Sequence, residues 1–177
     1  MNFTETKSPA PRDGFKNFLE KAENDSWIAG FRWVKGDTYP QIKSQLSTKR
    51  AENVSRTHKK GTDGVWWALE TEAHYGTHVG VDLELFMVRP ILVNSEWITN
   101  RLNLSRQLSP QKILEEWSAR EAAFKALAPN NEKVLMSHFK RTSPNTMTVF
   151  TPQGDRMIQV RTSWAGKWLL SLAWMSE

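Results

Sequence analysis

The hexapeptide Val79-Gly80-Val81-Asp82-Leu83-Glu84 constrains this chain more than any other stretch. Its apolar and acidic residues alternate, and in an extended strand successive side chains point to opposite faces. Val79, Val81 and Leu83 therefore share one face, and Gly80, Asp82 and Glu84 share the other. One face needs a core against it, while the second presents two carboxylates whose α-carbons stand roughly 6–7 Å apart, the i to i+2 repeat of a strand. That spacing suits one hard cation, and Gly80 leaves room on the same face for a ligand to approach the backbone. An edge strand with a solvated polar face also accounts for the hexapeptide taken alone, so the chemistry depends on what stands opposite it.

The chain of 177 residues fits one domain or two small halves packed as one, with enough length to bury a sizeable core. The absence of cysteine excludes a disulfide framework and thiol chemistry. No apolar stretch reaches membrane-spanning length and residues 1–13 lack the apolar core of a signal peptide, so a cytoplasmic protein is expected. The formal net charge of +5 favours an acidic partner: nucleic acid, an anionic membrane surface, a phosphorylated small molecule or an acidic protein. Nine tryptophans against two tyrosines supply bulky core-formers before they supply ligand contacts.

Residues 1–13, with Pro9 and Pro11, read as a flexible lead-in. Phe15, Phe18, Leu19 and Ala22 fall at helical spacing and predict a helix over 14–22. A strand is expected within Ser26 to Val34, and Ile42 with Leu46 predict another short helix. Lys43, Lys49, Arg50, Arg56, His58, Lys59 and Lys60 then form a basic segment that is either a solvated face or an anion-binding one. After the Gly61-Thr62-Asp63-Gly64 turn, Val65 to Leu69 reads as a buried strand that forms a hairpin with the VGVDLE strand, the basic loop lying at its entrance.

Ser109-Pro110 is a helix start, serine as N-cap and proline at the first helical position. The helix is expected to run to about Ala128, before Pro129-Asn130-Asn131, with Ile113, Trp117, Phe124 and Leu127 as its apolar stripe. Glu121 and Lys125 stand one turn apart on the flank of that stripe, either as an ordinary surface ion pair or converging on a common point. The Arg120 stem is expected along apolar surface with its head group outside. The last third reads as strands over Met147 to Phe150, Met157 to Val160 and Trp168 to Trp174. One echo links the two ends: Gly64-Val65-Trp66-Trp67-Ala68-Leu69 and Gly166-Lys167-Trp168-Leu169-Leu170-Ser171-Leu172 are each a glycine turn leading into a tryptophan-containing strand. Two similar α/β halves are therefore expected, 14–86 and 87–177, forming one compact α+β unit.

Asp82 and Glu84 from the strand and Glu121 from the helix supply three oxygen ligands with no paired histidine or cysteine. Such a set suits Mg²⁺ or Mn²⁺, and Mg²⁺ keeps positions open for water and substrate phosphates. With Lys125 and the basic segment nearby, metal-assisted chemistry on a diphosphate is expected.

At this point the sequence resembles the 4'-phosphopantetheinyl transferase superfamily. That superfamily is marked by a strand of the type (V/I)G(V/I)D(I/L)E and, a few dozen residues on, a helix of the type (F/W)xxKE(A/S)xxK. Here they read VGVDLE at Val79 to Glu84 and WSAREAAFKA at Trp117 to Ala126, with Arg120 in place of the usual lysine. Thr57-His58 resembles the family's serine-histidine element, and Gly166 to Ala173 is similar to its C-terminal strand. The likeness covers roughly residues 50–175.

The resemblance implies a pseudo-twofold, two-halved fold acting as a monomer, with the site at the junction of the halves. It implies transfer of the phosphopantetheine arm of coenzyme A to a serine of an acidic acyl or peptidyl carrier protein, with release of 3',5'-ADP. Asp82, Glu84 and Glu121 would hold the metal, and Lys125 would act with it on the phosphates. Glu121 is in addition the candidate base for the carrier serine, a role that the sequence does not separate from metal binding. His58, with Lys49 and Arg50 by charge and position, would bind coenzyme A. The alternative is a non-catalytic relative that binds carrier protein. Nucleic-acid binding is disfavoured, since the tryptophans are better explained as core and such binding needs no carboxylate cluster.

Overall fold

The VGVDLE segment forms a strand over Thr77–Leu85, and the rest of the fold is arranged on its two faces. The computed structural model describes residues 10–46, 53–87, 96–104, 108–127 and 134–176, with α+β architecture. In chain order these hold α1 (Pro11–Gly14), α2 (Lys16–Asn24), β1 (Gly30–Gly36), α3 (Tyr39–Gln45), β2 (Val54–Lys60), β3 (Trp66–Glu72) and β4 (Thr77–Leu85). A helix over residues 96–102, α4, and the long α5 (Pro110–Leu127) follow. A 3-10 turn at Met136–His138 then leads into β5 (Phe139–Ser143), β6 (Thr146–Thr151), β7 (Gly154–Ala165) and β8 (Trp168–Ser176).

The strands make two antiparallel sheets, one of three in the order β1-β3-β2 and one of five in the order β4-β8-β7-β6-β5. The expected hairpin between the Trp66 strand and the VGVDLE strand is therefore not formed. β3 lies between β1 and β2, whereas β4 pairs along its whole length with β8, Asp82 opposite Ser171. The boundary drawn at residue 86 consequently does not follow the hydrogen bonding, because β4 belongs to the sheet of the C-terminal strands. The basic segment is also not a loop where it is described: Arg56, His58, Lys59 and Lys60 lie on β2. Its turn at Gly64 (φ +84°) joins β2 to β3 as the turn at Gly166 (φ +59°) joins β7 to β8, so the sequence echo is an echo of two hairpins.

Both faces of the β4–β8 pair are covered. Val79, Val81 and Leu83 of β4, with Leu170 and Leu172 of β8, pack against Leu69 of β3 and against Phe15, Leu19 and Ala22 at α2. The opposite face receives α5, through Ala119, Ala122, Ala123 and Ala126 against Ala173 and Met175 of β8 and against Phe139, Met147, Val149, Ile158 and Val160 of the outer strands. The expected stripe of large residues is thus buried only in part. Ile113 and Leu127 are buried, but Trp117 is only half-buried and Phe124 is 37% exposed. Small residues face the sheet because the helix backbone approaches it closely. A Cβ on Gly80 would overlap the Ala122 carbonyl oxygen and stand 2.6 Å from the Ala126 nitrogen.

β4 is an edge strand, and its outward N–H groups need partners. Two hydroxyls from β2 supply them: Val81 N–H donates to Ser55 Oγ at 3.0 Å and Leu83 N–H to Thr57 Oγ1 at 2.9 Å. Both hydroxyl residues are buried. They join the two sheets without a continuous ladder, which explains why threonine serves at position 57, since the contact requires a hydroxyl at a β-strand position. Among the described residues, no helix is long and apolar enough to cross a membrane.

Candidate functional site

The close approach at Gly80 sets the site. Gly80, Asp82 and Glu84 share the face of β4 that α5 crosses, so the helix backbone over Gly80 brings the next turns of its flank beside the two carboxylates. The space that Gly80 frees is filled by the protein's own helix and not left for a ligand.

From that flank Lys125 reaches the strand edge. Its Nζ donates to Asp82 Oδ1 at 3.0 Å and to the Val81 carbonyl oxygen at 2.9 Å. Asp82 is only 6% exposed, and its second oxygen, Oδ2, is buried with no hydrogen-bond partner among the described residues. A carboxylate that has lost its water on one oxygen is under-compensated, and a cation or a proton donor would satisfy it. On the other side, Lys59 of β2 forms an ion pair with Glu84. Lys59 shares the strand face of Ser55 and Thr57, the face turned to β4. The sequence reading did not single it out, although the alternation Ser55, Thr57, Lys59 carries the signal.

Electrostatics link these residues into one cluster. Burial, and after it the Asp82 charge, push the Glu84 carboxyl above its ordinary value, opposed by Lys59 and Lys125. Burial and Asp82 likewise raise Glu121, opposed by Lys125, Lys59 and Arg101. His58 is held below its ordinary value by burial and by Lys125 and Lys59, with Asp82 acting the other way. The Asp82 charge thus acts on both glutamates, and two lysines partly balance it.

His58 stands in an aromatic group at the rim, its ring 4.7 Å from Tyr39 and 6.0 Å from Trp66 between centroids. Tyr39 is set there by α3, whose start is fixed by Gln41 Oε1 accepting the Asp37 and Thr38 N–H groups at 2.8 and 3.0 Å. Neither Tyr39 nor Trp66 was a sequence candidate. Lys49 and Arg50 lie outside the described residues.

Arg120 points elsewhere, and its head group is not outside. It is 5% exposed, and its Nη1 donates to the carbonyls of Leu102 and Met136 at 2.9 and 3.2 Å. It joins α5 to the segments on the far flank and does not contact the carboxylate cluster.

The oxygen-only donor set and the unpartnered Asp82 Oδ2 fit a hard divalent cation. As the side chains stand, however, among the described residues no three Asp, Glu, His or Cys side chains are gathered so that they could hold a metal together. The two lysines sit where they neutralise Asp82 and Glu84 instead. No protein-family model matches the chain, and no curated protein matches it in sequence.

Proposed function

We propose that this chain transfers the 4'-phosphopantetheine arm of coenzyme A to a serine of an acidic acyl or peptidyl carrier protein, releasing 3',5'-ADP. One observation carries the reading: Lys125 of α5, 43 positions on in sequence, donates to Asp82 of the VGVDLE strand at 3.0 Å, so the two segments that carry the resemblance meet. The two hairpins β2–β3 and β7–β8 support reading the fold as two related halves of that family, with the cluster between them in a single chain.

Asp82, Glu84 and Glu121 would hold Mg²⁺, which when bound supplies charge neutralisation for a diphosphate. Lys125 and Lys59, now paired with carboxylates, are the cations available to the phosphate oxygens, and His58 extends that reach at the rim. Glu121, directly or through water, takes the proton of the carrier serine. The serine oxygen then forms a bond to the phosphorus carrying the pantetheine arm, and the bond from that phosphorus to the bridging oxygen breaks, 3',5'-ADP leaving with the electron pair. The basic net charge favours encounter with an acidic carrier.

The test is incubation with apo carrier protein, coenzyme A and Mg²⁺, followed by intact mass of the carrier. A gain of one phosphopantetheine is expected. No gain with several carrier types that a known transferase modifies would sink the enzyme. The lysine–carboxylate pairs favour a second reading, a relative that binds carrier protein without catalysis. For that reading the same mixture would show a stable complex and no mass change.

A further inference from the structure

The large residues of α5 that the sheet leaves partly uncovered flank Glu121. At about 100° per residue, Trp117, Glu121 and Phe124 stand within about 60° of one another round the helix. Trp117 and Glu121 are half-buried, and Phe124 is 37% exposed. The helix α4 meets this stripe through Trp97, whose ring centroid lies 5.7 Å from that of Trp117. Even so, Trp97 is 55% exposed. One turn farther along each helix come Arg101 and Glu121. The Arg101 guanidinium is exposed and lies 5.4 Å over the Trp97 ring, and its charge acts on Glu121.

An exposed tryptophan beside an arginine is the residue pair that most often anchors a protein interface, and apolar surface left open in this way marks an interaction site. Here it borders the carboxylate that takes the proton of the acceptor serine, so a protein bringing that serine to Glu121 must pass over the same rings. We propose that the α4–α5 face built of Trp97, Arg101, Trp117 and Phe124 docks the acidic carrier protein. The proposal rests on the transferase reading above and names where the partner sits. The rings take apolar side chains beside the serine, and Arg101 takes a carboxylate of the carrier. Charge selects the occupant: with a net charge of +5 a second copy of this chain is repelled, whereas an acidic protein is attracted.

The test is isothermal titration calorimetry of the full chain with an apo carrier protein whose acceptor serine is replaced by alanine, so that binding is read without transfer. Saturable binding is expected, weakening as salt is raised. Trp97→Ala and Arg101→Ala should each lower the affinity by about tenfold or more, the loss typical of interface anchors. Arg101→Ala should in addition flatten the salt dependence, which loss of packing alone would not do. Because Arg101 is exposed, its variant keeps the test open if Trp97→Ala fails to fold. Parent affinity in both variants would overturn the proposal, and a mass gain on the serine-bearing carrier would then leave the transferase reading standing. Carrier binding that both variants lose, with no mass gain on the serine-bearing carrier, would support the docking face and overturn the transfer. Self-association of the chain that Trp97→Ala abolishes would assign the face to a second copy and overturn the proposal.

Discussion

Lys125 on α5 donates to Asp82 on β4 at 3.0 Å, and the same ammonium donates to the neighbouring Val81 carbonyl. The strand edge is thereby tied to the helix flank by one cation whose carboxylate partner is almost fully buried. Lys125→Met leaves that carboxylate without its counter-charge, and breaking such a pair from one side costs about 3 kcal/mol. Asp82→Asn with Lys125→Met removes both charges and should recover part of the loss. In a urea-unfolding double-mutant cycle we expect a coupling of about 1 kcal/mol or more, and strict additivity would show that the two groups do not stabilise each other in solution.

Gly80 is required by packing and not by backbone conformation. A side chain there meets the Ala122 carbonyl and the Ala126 nitrogen, both helix backbone that cannot rotate away. Gly80→Ala should destabilise the protein by about 3 kcal/mol, the upper range for overpacking a tight contact. Ala122→Gly should not rescue it, because the overlap is with the carbonyl and not with the Ala122 methyl. A stable Gly80→Ala protein would mean that α5 stands farther from β4 than described.

The same contact shows what was legible in the sequence. β4 and α5 could be placed because alternation, the Ser109-Pro110 start and helical spacing are local signals, and the structure has them at Thr77–Leu85 and Pro110–Leu127. The meeting of Lys125 with Asp82 is legible in the same way, one residue lying on the flank of the helix and the other on the polar face of the strand. The partner of β4 was not legible: nothing near residue 80 indicates that its neighbour is Trp168–Ser176 and not the adjacent Trp66–Glu72. The buried face of α5 was legible only at Ile113 and Leu127, because Trp117 and Phe124 outweigh alanines in any apolar count, although a helix crossing a glycine needs the alanines. The burial of Arg120 was missed for a related reason, as its acceptors at Leu102 and Met136 are backbone carbonyls without a side-chain signature.

Thr57 should tolerate serine and not valine. The Leu83 N–H donates to its hydroxyl at a buried position, and valine keeps the shape while removing the acceptor. An unsatisfied buried donor costs about 1–3 kcal/mol, so Thr57→Val should lose that much in urea unfolding and speed hydrogen exchange at the Leu83 amide. Thr57→Ser should leave both nearly unchanged. If serine and valine behave alike, the hydroxyl does not join the two sheets.

Glu121 separates a structural role from a functional one through pH. Its carboxyl is raised above 4.5 in the fold, mainly by burial and then by the Asp82 charge. The native state therefore holds this proton more tightly than the unfolded chain does, and the resulting stability is complete below pH 4.5 and lost as pH rises through the native value. Glu121→Gln carries no charge at any pH. It should match the parent protein at the acid end of that window and become the more stable of the two as pH rises, the difference levelling off once Glu121 is ionised in both states. Transfer to carrier protein should at the same time be abolished in the variant. A residue whose replacement stabilises the fold and removes the activity is kept for chemistry. Thermal unfolding of both proteins across pH 4 to 8, alongside the carrier mass assay, decides it; a Gln variant that is less stable at neutral pH would make Glu121 part of an ordinary stabilising ion pair.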